Sequence, residues 1–563
     1  MSPPSDDIAY TLADLEAAER VVGVRYTVAE RQLVLSRLEE QLNRLRRQRR
    51  LLDPPNGLAP ATVFDPTLGR GATLPAGPGG VPMQPMEPAP NLPRRDVDIA
   101  YAPVVHLSQW LRRGALTSRH LTDIYLDRLR RLGPQLECLV TLTDKRAIAE
   151  AEAADREIAA GRYRGPLHGI PWGAKDILDT AGIETGWGAE PYRGRTPTED
   201  AVVVRRLRDA GAVLVAKLSV GALAYGDIWY GGQTRNPWNL AEGARGSSAG
   251  PAAAVAAGLV GFAIGSETLG SIVAPCMRCG TTGLRPSFGR VPRTGAMALC
   301  WSLDKLGPIT RAVEDTHLVL DCLNGPDGSD VAARDVPLGR AGRRDASPSA
   351  PLAGYRLGYD PRWFDDAQAR DLDAQALETA RVSGAELVEI QLPDWPYDTL
   401  LSILYAEAAA AFEPLTLNDE DDLLTRQDAD AWPNMFRRAR FIPAIDVVQA
   451  DRFRRRVTAM MHDTMTGLDA LIGPSFADAL MLITNFTGQP ALTLRIGFAE
   501  MAKRETNPAL GRVVEEPTQD AKRYRVPYGM TLWGPLDGDA GLVEIGRRLE
   551  AALGVRDERP ALG

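Results

Sequence analysis

The chain has 563 residues, of which 44% are hydrophobic and 25% charged, and its formal net charge at pH 7 is −8. This composition is typical of a globular protein with a large core, and the negative balance argues against nucleic acid as a direct partner. The five cysteines are scattered and odd in number, which favours a reducing compartment over a disulfide framework. The sequence shows neither a leader peptide nor an apolar run of about twenty residues, so we expect a cytoplasmic protein without membrane contact.

Residues 1–52 predict a helical hairpin. Thr11-Leu12-Ala13-Asp14 and Thr27-Val28-Ala29-Glu30 both have the spacing of the capping boxes that begin helices. In the second helix, leucines recur at intervals of three and four residues and form an apolar stripe at Leu35, Leu38, Leu42 and Leu45. This stripe has to be buried, either against the main body of the protein or in a homodimer contact, and the pattern favours neither.

Residues 53–97 differ in composition from the hairpin, because they are rich in proline and glycine and poor in apolar side chains. A segment of this kind cannot build a core of its own, so it predicts an extended, semi-rigid linker. We expect the folded domain to occupy residues 98–563.

Helical and strand patterns alternate within that domain. A helix is expected to begin near Thr117, a strand is expected at Leu139–Leu142, and a helix and a strand follow at 200–210 and 212–217. Further strands are expected at 470–473, 491–495 and 529–534, and a last helix at 541–553. The repeated alternation predicts an α/β protein whose sheet is largely parallel and covered on both faces.

The stretch 243–286 consists mostly of small residues and contains two turns with hydroxyl side chains. The first turn, Gly246-Ser247-Ser248-Ala249-Gly250, precedes an alanine-rich helix expected at 251–258. A strand is expected at 259–264, and the second turn follows at 267–271. Small side chains allow close backbone approach and leave amides free to face a ligand. The stretch therefore predicts an acyl-transfer site, and a close-packed helix–strand unit without chemistry is the other interpretation.

The residues alone match several known site motifs, but each match is incomplete. The first turn matches the nucleophile elbow G-x-S-x-G around Ser248, but a loop precedes it where that motif requires a strand. The histidines downstream of it, His317 and His462, have no distinctive setting. The turn lacks the Gly-Lys-Ser/Thr of a P-loop. The S-x-x-K motif at Ser302-Leu303-Asp304-Lys305 lacks its K-T-G and S-D-N companions.

Four segments, 169–176, 234–238, 245–258 and 265–290, resemble the amidase signature family, and the likeness runs with interruptions from about Thr117 to Leu553. The resemblance implies a single large α/β/α domain with a mixed central sheet. It also implies hydrolysis of a small-molecule amide through an acyl-enzyme, with no metal or cofactor. The family's lysine, its serine with a cis peptide bond and its nucleophilic serine correspond to Lys175, Ser247 and Ser271.

Physical chemistry supports these roles. A serine attacks an amide only when a base takes its proton and the amide oxygen is stabilised. Lys175 can be the base if burial among small apolar neighbours keeps it neutral. The backbone amides of Thr268, Leu269, Gly270 and Ser271 are then expected to form the oxyanion hole.

The sequence departs from the family pattern at several positions. Arg245 and Leu269 stand where glycines are usual, Glu267 replaces an aspartate, and Val273 replaces an arginine that follows the nucleophile. Leucine tolerates fewer backbone angles than glycine, so the geometry of the oxyanion hole depends on the conformation of Leu269.

We expect a neutral aryl or alkyl amide as the substrate, because Val273 carries no charge and aromatic side chains precede the first turn at Tyr225, Trp229 and Tyr230. Core packing explains these aromatics equally well. Two other functions remain open: a glutaminase-type subunit of a tRNA amidotransferase, and a catalytically impaired relative that acts as an interaction protein.

Overall fold

The computed structural model of the protein describes residues 10–51, 55–68, 88–339, 350–365, 370–506, 513–515 and 522–562. The start of the predicted hairpin and residues 53–54 and 69–87 of the predicted linker lie outside the described residues. Within the described ranges, no helix combines the length and the apolar content needed to cross a bilayer. The helices are α1 Leu12–Val22, α2 Val28–Leu51, α3 Asp96–Ala100, α4 Val104–Arg112, α5 Ser118–Leu136, α6 Asp144–Ala159, α7 Val202–Asp209, α8 Ala249–Ala256, α9 Val273–Cys279, α10 Val313–Leu323, α11 Arg370–Val382, α12 Leu401–Ala411, α13 Glu413–Leu417, α14 Trp432–Ala439, α15 Ala444–Thr464, α16 Leu480–Thr487 and α17 Asp539–Leu553.

Among the described residues, an eleven-stranded sheet forms the centre of the protein, and three two-stranded sheets accompany it. The strands are β1 Leu139–Leu142, β2 Pro171–Lys175, β3 Val213–Leu218, β4 Ile228–Trp229, β5 Gly232–Gln233, β6 Arg235–Asn236, β7 Asn239–Gly243, β8 Phe262–Glu267, β9 Thr282–Arg285, β10 Lys305–Thr310, β11 Arg356–Tyr359, β12 Glu386–Glu389, β13 Ala470–Pro474, β14 Ala491–Met501, β15 Arg504–Thr506, β16 Val513–Glu515 and β17 Tyr524–Trp533. The order in the large sheet is β1-β3-β2-β8-β10-β9-β14-β17-β13-β11-β12.

The large sheet is mixed, as the family resemblance implied. β2 pairs in parallel with β3 and β8, and β11 pairs in parallel with β12 and β13. The pairings from β8 through β10, β9, β14 and β17 to β13 are antiparallel. The largely parallel sheet expected from the alternation is therefore wrong, because alternation along the chain does not fix which strands become neighbours.

Helices cover both faces of this sheet. Successive side chains of a strand point to opposite faces, and in β3 Leu214 belongs to one core while Val213 and Val215 belong to the other. Residues of α5, α6 and α8 close the second core, and residues of α10 and α17 contribute to the first. The three-layer α/β/α architecture is confirmed.

The N-terminal helices α1 and α2 form an antiparallel pair. Both predicted capping boxes are present: Thr11 and Asp14 bond reciprocally at 2.9 and 3.3 Å, and Thr27 and Glu30 do so at 2.7 and 3.3 Å. Near the turn, Arg31 forms an ion pair with Glu19 at 2.8 Å. At the far end, Arg46 donates a hydrogen bond to the Tyr10 hydroxyl at 2.6 Å.

The leucine stripe of α2 is half-buried at Leu35, Leu38 and Leu42, while the side chain of Leu45 lies outside the described residues. These leucines follow Arg31 at helical spacing, so they share the face that carries its ion pair with α1. On α1, Leu12 and Leu15 are half-buried at the corresponding spacing before Glu19. The half-buried leucines therefore lie on the face of α2 that is turned toward α1. Burial of the stripe against the main body or in a homodimer contact stays a prediction.

Predicted elements around the site differ from the structure in type or in bounds. The alanine-rich helix expected at 251–258 is α8, which begins two residues earlier. The segment 169–176, interpreted as a turn, contains the buried strand β2, whose proline is its first residue and so removes no interior hydrogen bond donor. The strand expected at 259–264 begins three residues later, at Phe262. Gly258 has φ +63° and ends the preceding helical segment, which delays the strand.

Residues 55–68 of the expected linker contact the body of the protein. The Asn56 side chain accepts a hydrogen bond from the backbone of Ala298 at 2.7 Å, and Phe64 packs edge-on against Phe288 at 5.3 Å. Composition did not predict these contacts. The division of the chain into regions 1–52, 53–97 and 98–563 stays a prediction.

Candidate active site

Three chain segments meet at the carboxyl ends of two neighbouring parallel strands. β2 ends at Lys175, and β8 ends at Glu267, directly before the turn 268–271. The turn 246–248 contacts the end of β2 and leads into α8. Open α/β sheets commonly bind their ligands outside the carboxyl ends of their strands, so the two hydroxyl-bearing turns lie where a site is expected.

Lys175 is the centre of a buried hydroxyl cluster. Its Nζ lies 2.8 Å from Ser247 Oγ, 2.8 Å from Ser266 Oγ and 3.0 Å from Ser248 Oγ. Ser248 Oγ in turn lies 3.1 Å from the Ser266 carbonyl oxygen and 3.2 Å from the Ser266 backbone nitrogen. The structure thus brings Lys175 and Ser247 together as predicted. It also adds Ser266, which the sequence reasoning did not identify although it lies inside the matched segment.

The environment of Lys175 favours its neutral form. The side chain is fully buried, and burial lowers the pKa of its amine to about 7, while the nearby carboxylates of Asp304 and Glu267 act in the opposite direction. A neutral amine is able to accept a proton, which an ammonium cannot. Near neutral pH this lysine therefore has the protonation equilibrium that a general base needs.

The peptide bond between Gly246 and Ser247 is cis, as the family resemblance implied for this serine. Glycine is required at 246, because a Cβ there would lie 1.7 Å from the carbonyl oxygen of Gly226. Arg245 adopts φ +63°, a left-handed conformation that costs a residue with a side chain roughly 1–2 kcal/mol. Its guanidinium lies 3.9 Å from the centre of the Phe476 ring, so the arginine that replaces glycine has a specific packing partner.

Ser271 lies at the second turn, and its residue is 8% exposed. Its carbonyl oxygen accepts a hydrogen bond from the Ser248 amide at 3.1 Å, which joins the two turns through their backbones. Within the described part of the chain, the Ser271 hydroxyl forms no hydrogen bond. The structure therefore links Lys175 to Ser247, whereas the contact between Ser247 and Ser271 stays a prediction.

The expected oxyanion hole has a backbone compatible with that role. Across the described residues, the amides of Thr268, Leu269, Gly270 and Ser271 donate no hydrogen bond within the protein, so they remain available to a ligand. Gly270 adopts φ +85°, and a Cβ there would lie 2.6 Å from Met481 Sδ. Leu269 does not share this left-handed conformation, so leucine in place of glycine introduces no strain of that kind.

Glu267 holds the second turn, residues 268–271, in place. Its carboxylate is fully buried and accepts hydrogen bonds from the amides of Ile272 and Val273 at 2.8 and 3.0 Å. It also binds Arg285 at 2.8 Å and Asn485 at 3.0 Å. Despite its burial, these partners lower the pKa of Glu267, so it stays ionised. The glutamate that replaces the family's aspartate thus anchors the chain immediately after Ser271.

The predicted substrate-binding side chains lie mainly in packed surroundings. Val273 is buried in the core at the start of α9. Trp229 donates its indole N–H to the Glu137 carbonyl at 3.1 Å and packs on Tyr230, with the rings 4.9 Å apart. Tyr225 packs against Trp432 at 5.4 Å. These three aromatics are not among the described residues that line the cavity next to Ser266 and Thr268.

A cavity of about 520 Å³ adjoins the lysine cluster. Ser266 and Thr268 line one side of it, next to Lys175 and the expected oxyanion hole. Apolar atoms predominate elsewhere in its lining, which includes Met297, Leu299 and Trp301. A predominantly apolar cavity with a few convergent polar groups is typical of a small-molecule site.

Comparison with known proteins gives the family. The family model described as Amidase matches residues 120–543. Among relatives, a glutamyl-tRNA(Gln) amidotransferase subunit from Roseiflexus castenholzii is 39% identical over 314 residues, which cover 55% of this chain and only 63% of that protein. The protein of the same name from Halorhodospira halophila is 33% identical over 447 residues, covering 70% of this chain and 90% of that protein.

Solved structures agree with this assignment. The native peptide amidase from Stenotrophomonas maltophilia superposes with a TM-score of 0.66 at 28% identity, covering 82% of this chain and 98% of that structure. The family match spans most of the chain and includes all three predicted catalytic residues. The chain therefore belongs to the amidase family.

Proposed function

We propose that the protein hydrolyses a carboxylic amide through an acyl-enzyme on Ser271, with Ser247 as proton relay and Lys175 as general base. The observation that carries this proposal is the 2.8 Å contact between Lys175 Nζ and Ser247 Oγ in a buried setting that lowers the lysine pKa to about 7. No histidine is needed in this scheme, because the lysine is able to take up the proton itself.

The reaction proceeds in two halves. Ser271 Oγ attacks the amide carbon and forms a C–O bond, while its proton passes to Ser247 and the Ser247 proton passes to Lys175. The amides of turn 268–271 stabilise the oxyanion. As the C–N bond breaks, the proton returns through Ser247 to the leaving nitrogen. Water then attacks the ester with the same relay, releasing the carboxylic acid and restoring Ser271.

The substrate we propose is a neutral aryl or alkyl amide. Arg293 is the one cation in the cavity lining of the described chain, and Asp330 binds it at 2.9 and 3.0 Å. The Asp330 carboxylate therefore compensates the charge of Arg293. Val273 is buried and uncharged, so it supplies no other positive charge to the cavity. A ligand with a free carboxylate would lose its hydration there without gaining an ionic partner.

A second candidate is the glutaminase half of a tRNA amidotransferase, and the named relatives favour it. Two proteins that carry the name of a glutamyl-tRNA(Gln) amidotransferase subunit are 33% and 39% identical to this chain, and one of them is matched over 90% of its length. In this role the protein would release ammonia from glutamine within a complex of several subunits. The uncharged residue at 273 and the apolar cavity favour the first candidate.

Steady-state kinetics distinguish the two candidates. We expect kcat/KM for 4-nitroacetanilide, followed by absorbance of the released nitroaniline, to exceed kcat/KM for glutamine, followed by ammonia release. A higher value for glutamine would assign the second function instead. Ser271→Ala is the control for both assays, because loss of both activities shows that one site produces them.

A further inference from the structure

The segment 57–63, which we call the N-terminal wall, lies along the cavity although it precedes the family-matched region by more than fifty residues. Its members Gly57, Leu58, Ala59, Pro60, Ala61 and Val63 contribute to the cavity lining. They face a site whose other side contains Ser266 and Thr268. One boundary of the cavity is thus supplied by chain outside the part that carries the catalytic motifs.

The wall is fastened at its start by Asn56. The side-chain nitrogen of Asn56 donates to the Ala298 carbonyl at 2.8 Å, and the Ala298 amide donates to its side-chain oxygen at 2.7 Å. The Trp301 indole N–H donates to the Asn56 backbone carbonyl at 3.1 Å. Trp301 also lines the cavity. Three hydrogen bonds therefore fix the wall to the loop that forms the adjacent side of the cavity.

The wall is fastened at its end by Phe64 and Pro66. The Arg454 guanidinium lies 3.3 Å from the centre of the Phe64 ring, a cation–π contact made by a buried arginine. The buried Pro66 directs its carbonyl oxygen to His462 Nε2 at 3.0 Å. Because both ends are held, residues 57–63 have a defined position over the cavity.

The chemistry of the wall is uniformly uncharged. The sequence Gly-Leu-Ala-Pro-Ala-Thr-Val contains no ionisable side chain. Across the cavity, Asp304 accepts hydrogen bonds from Thr268 at 2.6 Å and from the amides of Leu299 and Cys300 at 2.8 and 3.0 Å. The charged side chains of the lining thus form hydrogen bonds within the protein. The wall itself presents an uncharged surface, which favours contact with apolar atoms of a ligand.

We propose that the N-terminal wall is the specificity-determining element of this enzyme and holds the neutral apolar group attached to the scissile amide. The effect of the wall on catalysis rests on the proposed amide hydrolysis at Ser271. The wall makes no contact with Lys175 or Ser247 among the bonds described, so it acts on substrate binding and leaves proton transfer unchanged.

The test places a large side chain in the cavity by substituting a residue of the wall. Ala59 is half-buried and lines the cavity, whereas Thr62 is exposed and does not, so Ala59→Trp and Thr62→Trp form a matched pair. We expect Ala59→Trp to lower kcat/KM for a naphthyl amide by about ten-fold or more, mainly through KM, as steric discrimination in a pocket does. Hydrolysis of propionamide should change little, and Thr62→Trp should resemble wild type with both substrates.

A binding measurement separates this inference from the proposed function. The neutral dye N-phenyl-1-naphthylamine should bind wild type and Thr62→Trp alike and bind Ala59→Trp weakly, whether or not any amide is hydrolysed. Leu58→Lys, at a position 60% exposed, should also weaken dye binding, and its surface location protects folding. Equal dye binding and equal substrate selectivity in all variants would overturn the wall's role while leaving hydrolysis intact. An absence of hydrolysis with altered dye binding would overturn the proposed function alone.

Discussion

Lys175 Nζ and Ser247 Oγ are 2.8 Å apart at a point where both side chains are buried. If this pair transfers the proton of Ser271, Lys175→Ala should reduce amide hydrolysis by about 10³-fold or more, as expected for the loss of a group that performs acid–base catalysis. Circular dichroism should show a folded protein. The exposed Lys145→Ala is the control. Turnover close to wild type in Lys175→Ala would reject the lysine as base.

The pH dependence follows from the lysine pKa of about 7. The base works only when neutral, so kcat/KM should rise with pH, reach half of its maximum near pH 7 and then level off. The Asp304 carboxylate raises the lysine pKa. Asp304→Asn should therefore move the rising limb to lower pH. A limb that stays in place, or moves to higher pH, would contradict the assignment of this titration to Lys175.

The three serines near the lysine should differ in their effects. Ser271→Ala should abolish acyl-enzyme formation, and Ser247→Ala should slow it severely because the relay is lost. Ser248→Ala should do less, since its hydroxyl bonds Lys175 and Ser266 without a role in the proposed relay. Mass spectrometry after fluorophosphonate labelling identifies the modified residue. An adduct on Ser248 would favour the nucleophile elbow instead.

The turn 268–271 offers a paired test of the expected oxyanion hole. Gly270→Ala forces a side chain into a left-handed conformation and against Met481, so we expect kcat to fall by about 10²-fold or more, as when an oxyanion donor is lost. Leu269→Gly should remain within a few-fold of wild type, because Leu269 does not adopt that conformation. The reverse order of effects would show that Leu269 sets the geometry of the hole.

Removal of the hairpin tests its separation from the site. Deleting residues 1–51 leaves Asn56 and its bonds to Ala298 in place, so the rate of fluorophosphonate labelling at Ser271 should not change. We expect a lower melting temperature or a changed mass in light scattering. A folded but unreactive product would instead give α1 and α2 a part in completing the site.

Sequence reasoning singled out the two hydroxyl-bearing turns because small residues and hydroxyls cluster there, and the structure brings both turns to the carboxyl ends of β2 and β8. Their catalytic roles stay predictions. Sequence reasoning also anticipated the cis bond before Ser247 and the covered, layered sheet through the family resemblance. The capping boxes of α1 and α2 were readable because each involves residues only three positions apart.

The structural features that the sequence did not predict depend on contacts between distant parts of the chain. The antiparallel pairing of β8 with β10 joins residues about forty positions apart, and local alternation carries no information about it. The buried strand ending at Lys175 resembled a turn because its short sequence contains Pro171 and Gly173 and follows Gly169. The contacts of Asn56 with Ala298 span 242 positions, and no periodicity in residues 53–97 indicates them.

The position of the N-terminal wall has a consequence for how such enzymes diverge. The serine-bearing turns and the cavity wall come from separate stretches of the sequence, the family-matched region and residues 57–63. Substitutions in residues 57–63 can therefore change the wall and leave the family-matched turns as they are. Under the proposed role of the wall, a change of substrate needs substitutions in only seven residues, and all seven lie outside the region by which the family is recognised.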